Sequence, residues 1–332
     1  MAVSASGLVC NKPSRRNPGG GFGRGFDLFL ESCRWKPAHC VNRQALRQLA
    51  RSRESGGRPL FLYLHYFDPH DPYAPPSGHP LRFARGRPDK DFIRRGSPNP
   101  IARMLYDGAP DPGATPADLQ HLVDLYDDEI AYFDTQFAEL VHALEAGGWL
   151  DDSILVFAAD HGEEFLEHGH IKHCRTVYDT VVRTPLFIHV PGVSAKTIAE
   201  PMQNLDIVPT VLDYASVPAP EANLEGRSRR ALIETGHQEG APYQYSLGGP
   251  YRSIADGRYK LIRHLGRSDS WLFDLQSDPG ERADVLAHDR RSFHRLGEEL
   301  DAWLARTEGR GEEGLRRSQE AERKLRALGY LE

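Results

Sequence analysis

Between Thr115 and Gly148 apolar residues return at the helical period. Leu119, Leu122, Tyr126, Ile130, Phe133, Phe137, Leu140, Val141 and Leu144 share one stripe. Thr115 stands as a cap, with Pro116 in the first helical position and Asp118 three residues after the cap. Gly147-Gly148 closes the run, so the pattern predicts one long helix. Three other segments are continuously apolar and of strand length: 58–67 ("RPLFLYLHYF"), 153–160 ("SILVFAAD") and 184–192 ("TPLFIHVPG"). Such runs read as strands buried on both faces. Residues 41–54 form a basic helix, and 204–216 ("NLDIVPTVLDYAS") a short helix with an early proline. Residues 11–25 and 77–114, dense in Gly, Pro and Arg, read as loops, the second long enough to suggest a functional insertion.

Helix alternating with apolar strand predicts an α/β fold, a mostly parallel sheet flanked by helices. From about residue 245 the pattern changes. "YRSIADGRYKLIRHL" is a hairpin around Asp256-Gly257, "SWLFDLQSDPGE" a strand running into a turn, and a polar amphipathic helix follows. The expected division is an α/β domain over 1–244, a small antiparallel β plus helix subdomain over 245–310, and a polar helical tail over 311–332.

Composition narrows the function classes. The 332 residues are 39% hydrophobic and 27% charged, with a net charge of −6, a balance that argues against a nucleic-acid partner held by bulk charge. No run of about 18 apolar residues occurs, so no transmembrane segment is expected. Residues 1–9 are too short and small for the apolar core of a signal peptide. The four cysteines, Cys10, Cys33, Cys40 and Cys174, fit a reduced set or one incidental bridge.

Candidate chemistry gathers in "FAADHGEEFLEHGHIKHCRTVYDT". Asp160 and His161 fall at the carboxyl end of a strand, where open α/β sheets place their ligands. A carboxylate beside an imidazole there makes two metal ligands, and Gly162 lets the backbone turn close by. The neighbouring Glu163, Glu164, His168 and His170 read as readily as an ordinary charged loop. In "HYFDPHDPYAPP", Pro69 and Pro72 bracket His70 and pin its backbone, a suitable seat for a catalytic imidazole. His65 lies inside the strand pattern and reads as a core histidine.

Together these segments resemble the sulfatase branch of the alkaline-phosphatase superfamily. "FLYLHYFDPHDPYAPP" is similar to its strand and PHxPY loop, and "DDSILVFAADHGEEFLEHGH" to its strand and metal segment. "TVYDTVVRTPLFIHVPG", "LDIVPTVLDYA", "YRSIADGRYKLI", "LFDLQSDPGE" and the closing "LRALGYLE" follow in family order. The resemblance implies an alkaline-phosphatase-like fold and metal-assisted hydrolysis of sulfate esters on a sulfated small molecule or glycan. It makes Asp160 and His161 metal ligands, His70 the group assisting the leaving oxygen, and Lys172 the contact to sulfate oxygens. Arg175 and His173 compete with Lys172 for that last role, because the family's spacing there varies. Calcium is the first expectation for the metal, with manganese or zinc favoured by a histidine ligand. Phosphodiester or phosphonate hydrolases and phosphoryl transferases share the same segment and form the alternative, as does a non-catalytic remnant that binds anions.

The family's nucleophile, a Cys or Ser in Cys/Ser-x-Pro-x-Arg, and its first Asp-Asp pair have no counterpart among residues 1–9. The expectation is therefore an amino-terminally truncated member, inclined to self-associate or to pair with the missing part. Cys10-Asn11-Lys12-Pro13-Ser14-Arg15 mimics the nucleophile motif but is one residue too long, and is read as a loop.

Overall fold

The structure is a computed structural model describing residues 1–6, 9–11, 21–33, 35, 37–54, 59–84, 100–107, 113–218, 224–238, 240 and 243–308. The expected tail over 311–332, residues 12–20 of the expected 11–25 loop, and 85–99 and 108–112 of the expected 77–114 loop lie outside the described residues. The chain divides into two compact units, Met1–Trp149 and Leu150–Glu332.

In the first unit, β1 (Ala2–Ser4) is the centre of a three-stranded parallel sheet, between β2 (Phe29–Leu30) and a third strand. All three β1 residues are fully buried. Helix α1 (Ala38–Glu54) packs on this sheet, and Cys33 is disulfide-bonded to Cys40 at its start. Val3, Ala5, Cys33, Cys40 and Val41 form the core there. The expected strand 58–67 is much shorter, since β3 spans only Tyr63–His65. Its partner β1 offers three residues, and each takes one partner in β3, which leaves Phe61 65% exposed.

Helix α2 (Pro100–Asp107) lies within the stretch expected as a loop. Helix α3 (Pro116–Ala146) forms as expected, with the Thr115–Asp118 capping box intact. Its buried face differs from the apolar stripe, because Asp128 and Glu129 are buried while Ile130 is 42% exposed. The carboxylates replace apolar groups there because they collect backbone donors of the 74–84 loop. Asp128 accepts from Arg82, Phe83 and Ala84 N–H, and Glu129 accepts from Ala74 N–H at 2.8 Å.

In the second unit, β4 (Leu155–Ala158) is followed by the one-turn α4 (Asp179–Val182) and by β5 (Leu186–His189). The mixed α/β class holds, but β4 and β5 pair antiparallel. Both strands were expected to be fully buried and are only half-buried, with Phe187 63% exposed. An apolar run reports a preference for burial and carries no information about strand direction. A 3₁₀ turn (Asn204–Asp206) leads into α5 (Ile207–Tyr214), which tolerates Pro209 in its first turn, and α6 (Arg230–Thr235) follows.

Strands β6 (Gln244–Gly248), β7 (Tyr251–Ala255), β8 (Tyr259–His264) and β9 (Ser270–Asp274) form an antiparallel sheet in sequence order. The β7–β8 turn is built as expected: Gly257 takes φ +89°, and Asp256 Oδ1 accepts from Arg258 and Tyr259 N–H. Helix α7 (Arg290–Glu308) closes one face of this sheet, its Leu296 and Leu300 packing with Ile254, Leu261 and Leu272.

Candidate active site

Asp160 lies two residues beyond the end of β4, its side chain 85% exposed. His161 Nδ1 is 2.8 Å from the carbonyl oxygen of Gly162. A carbonyl only accepts, so Nδ1 carries a proton, and in that uncharged tautomer the lone pair lies at Nε2. That Nε2 stands 3.8 Å from Asp160 Oδ1. Two donor atoms, one oxygen and one nitrogen, thus converge with the histidine tautomer already set. No group of three or more His, Cys, Asp or Glu that could hold a metal occurs among the described residues. Asp160 and His161 fit a divalent cation as part of a ligand set.

Gly162 is required by close packing. A Cβ there would lie 2.2 Å from the carbonyl oxygen of Thr180, while its N–H donates to Val181 O at 2.7 Å. The strand-end pair is therefore pressed against α4.

The loop that follows is wound around Glu164, which is fully buried. Its Oε1 accepts from His168 and His170 N–H and its Oε2 from the Thr176 hydroxyl, while its carbonyl accepts from Lys172 N–H. This staple holds Leu166, Lys172 and Cys174 at φ +70°, +74° and +70°, a region non-glycine residues seldom occupy. His168 stacks on Tyr178 at 3.6 Å and sits 3.2 Å from Gly280 O. His168 and Glu164 are thus buried framework of the loop rather than a solvated charged surface.

His173 is drawn to the strand end. Its ring stacks on His161 and its Nδ1 lies 2.9 Å from Glu163 Oε1, with both side chains almost fully buried. Lys172 is half-buried and Arg175 exposed, on either side of this histidine. Desolvation pushes the Cys174 thiol up, and the Glu163 and Asp160 carboxylates push it further.

His70 belongs to the first unit. Its Nδ1 is 2.9 Å from Asp71 O and 3.1 Å from Asp71 Oδ1, and its ring stacks on Phe67 at 4.4 Å. The Asp68–Pro69 and Asp71–Pro72 bonds on either side are cis. Behind this loop burial pushes Asp68 up to about 6 and Glu129 up to about 8, the Asp68 charge adding to the latter. Sequence reasoning missed both carboxylates. The only local signal was the acidic run Asp127-Asp128-Glu129 on a helix otherwise striped with apolar residues. Cys10 is fully buried and its carbonyl accepts from Phe22 N–H, as befits a loop anchor.

The same fold occurs in solved structures. A phosphonate monoester hydrolase from Silicibacter pomeroyi aligns with a TM-score of 0.63 at 24% identity, covering 81% of this chain and 61% of that one. A protein solved in complex with its substrate D-glucosamine-2-N,6-O-disulfate gives 0.63 at 19% identity, over 82% of this chain and 70% of that one. These neighbours show that the chain has an alkaline-phosphatase-like α/β fold. The sulfatase family matches residues 22–217, more than half of the chain, and the chain belongs to that family. The carboxyl-terminal domain of N-sulphoglucosamine sulphohydrolase matches residues 166–308. An arylsulfatase of Clostridium perfringens is 25% identical over 254 residues, 70% of this chain and 50% of its own length. The chain therefore spans about half the length of that curated relative.

Proposed function

We propose that the chain serves the hydrolysis of sulfate esters, with Asp160 and His161 as two ligands of a divalent cation. The observation that carries this reading is the Nε2-to-Oδ1 convergence of 3.8 Å at the end of β4, with Nδ1 already committed to Gly162 O. A bound cation would supply charge to oppose the negative ester oxygens. Calcium is the first ion to test, although the nitrogen donor also suits manganese or zinc. Lys172 and Arg175 are proposed to hold ester oxygens. His173, already engaged by Glu163, is proposed to brace His161. For His70, held in the first unit with Nδ1 2.9 Å from Asp71 O, assistance to a leaving oxygen as an acid or hydrogen-bond donor is the proposed role. No Cys/Ser-x-Pro-x-Arg occurs in the 332 residues, and no residue here is assigned the nucleophile.

A sulfated sugar is the proposed substrate class, supported by the disulfated glucosamine bound by one structural neighbour and by the N-sulphoglucosamine sulphohydrolase match. Phosphonate monoester hydrolysis is the second reading, supported by the other neighbour.

Calorimetric titration with Ca²⁺, Mn²⁺ and Zn²⁺ tests the cation site. One site per chain is expected, weakened at least about tenfold in both Asp160→Ala and His161→Ala. Equal binding by wild type and both variants would overturn the assignment. Sulfate ester and phosphonate monoester are then compared as ligands of the cation-loaded chain, with the sulfate ester expected to bind more tightly. Turnover of an aryl sulfate by this chain alone is expected to be negligible, and robust turnover by material of confirmed intact mass would place a nucleophile within it.

A further inference from the structure

The carboxyl-terminal sheet grips the site segment at three places. The Gly248 Cα position, at the end of β6, is so close to the segment that a Cβ there would meet Thr176 O at 2.8 Å. Gly280 O, in the turn after β9, lies 3.2 Å from His168 Nε2. The third place is ionic and lies deeper. Lys260, on β8, is 2% exposed, and its Nζ is 2.6 Å from Asp179 Oδ1 and 2.8 Å from Glu281 Oε1. Glu281 Oε2 in turn accepts from the backbone N–H of Asp179 at 2.5 Å.

Asp179 is the first residue of α4, the wall against which Gly162 rests through Thr180 O and Val181 O. Contact therefore runs from Lys260 and Glu281 to Asp179, along one helical turn, to Gly162 and its neighbours His161 and Asp160. Glu281 holds φ +52°, an unfavourable backbone for a long side chain, while its two carboxylate oxygens reach Lys260 and Asp179 N–H. Burying Lys260 and Glu281 beside the half-buried Asp179 adds little net stability compared with apolar packing, but it defines one geometry sharply.

We infer that Lys260, Asp179 and Glu281 form a positioning device that sets the Asp160–His161 pair through α4. The purpose assigned to that pair rests on the cation-site reading above, whereas the mechanical coupling does not. The three residues touch no reacting group and act only through the position of α4.

Amide hydrogen exchange and histidine ring NMR on the full, cation-free chain test the coupling directly. Lys260→Met keeps bulk and removes the charge. It is expected to speed exchange at Gly162 and Val182 at least about tenfold and to shift the His161 ring signals, while Ile254 and Leu261 amides keep their protection. Lys260→Arg, which restores a cation, should recover much of the Gly162 protection. Asp179→Asn, at a more exposed position, gives the same reading should the buried lysine variant not fold. The inference is overturned when Gly162 protection stays at the wild-type level in these variants. It is equally overturned when that protection falls only in step with Ile254 and Leu261, as a purely structural role requires. Absence of cation binding by wild type would count against the site reading alone and leave the exchange result to decide the coupling.

Discussion

The imidazole of His161 lies against that of His173, with ring centroids 3.8 Å apart and planes inclined by 23°. The second ring is tied to Glu163, so the first is held in place by a neighbour that is itself held. Replacing His173 by Phe should keep the stacking surface and hold the His161 ring, whereas His173→Ala should release it. Ring line widths in NMR spectra report the difference. Both variants leave the buried Glu163 carboxylate without this contact, at a cost of about 1–3 kcal/mol in urea unfolding. Adding Glu163→Gln to the alanine variant should recover part of that loss.

Gly162→Ala should destabilise the chain by roughly 1–3 kcal/mol, because the added methyl meets the backbone carbonyl of Thr180 and no flexible side chain can yield. The same variant should weaken cation binding, since Asp160 and His161 move with the displaced turn. Unfolding midpoints within error of wild type would refute the packing argument.

Glu129 predicts a pH dependence of stability. Burial raises its carboxyl from the ordinary range to about 8, so between those values the folded chain keeps a proton that the unfolded chain has released. By linkage, stability falls as pH rises through this window, and Asp68, raised to about 6, adds to the fall in its lower part. Glu129→Gln mimics the protonated form and keeps an oxygen for the Ala74 N–H. The variant should match wild type near pH 4.5, exceed it at pH 8.5, and show a flatter profile between. Melting temperatures at the two pH values decide this.

Asp128→Asn should cost about 1–3 kcal/mol. The carboxylate accepts three backbone donors from the 82–84 turn, and an amide group offers one acceptor oxygen in place of two. Faster proteolysis around residues 74–84 with little change in the four-stranded sheet is the expected signature, read by mass spectrometry of the fragments.

Much of this was legible in the residues. The cap of α3 could be read from Thr115, Pro116 and Asp118 because capping is local and each partner lies within one turn. The hairpin at Asp256-Gly257 was equally plain, since the side chain of Asp256 closes the turn on its own neighbours. Asp160 and His161 could be placed at a strand end because an apolar run stops just before them. The shortness of β3 was hidden, because it depends on β1, whose three residues are too few to show any period.

Sequence by itself determined the long helix α3, the β7–β8 hairpin, the family order of the motifs and the identity of the two proposed ligands, because these depend on residues close together along the chain. Tertiary structure alone decided the antiparallel pairing of β4 with β5, the burial of Asp128 and Glu129, and the union of Lys260, Asp179 and Glu281. Those charged residues read as solvated until partners distant in sequence supply the hydrogen bonds that make their burial tolerable.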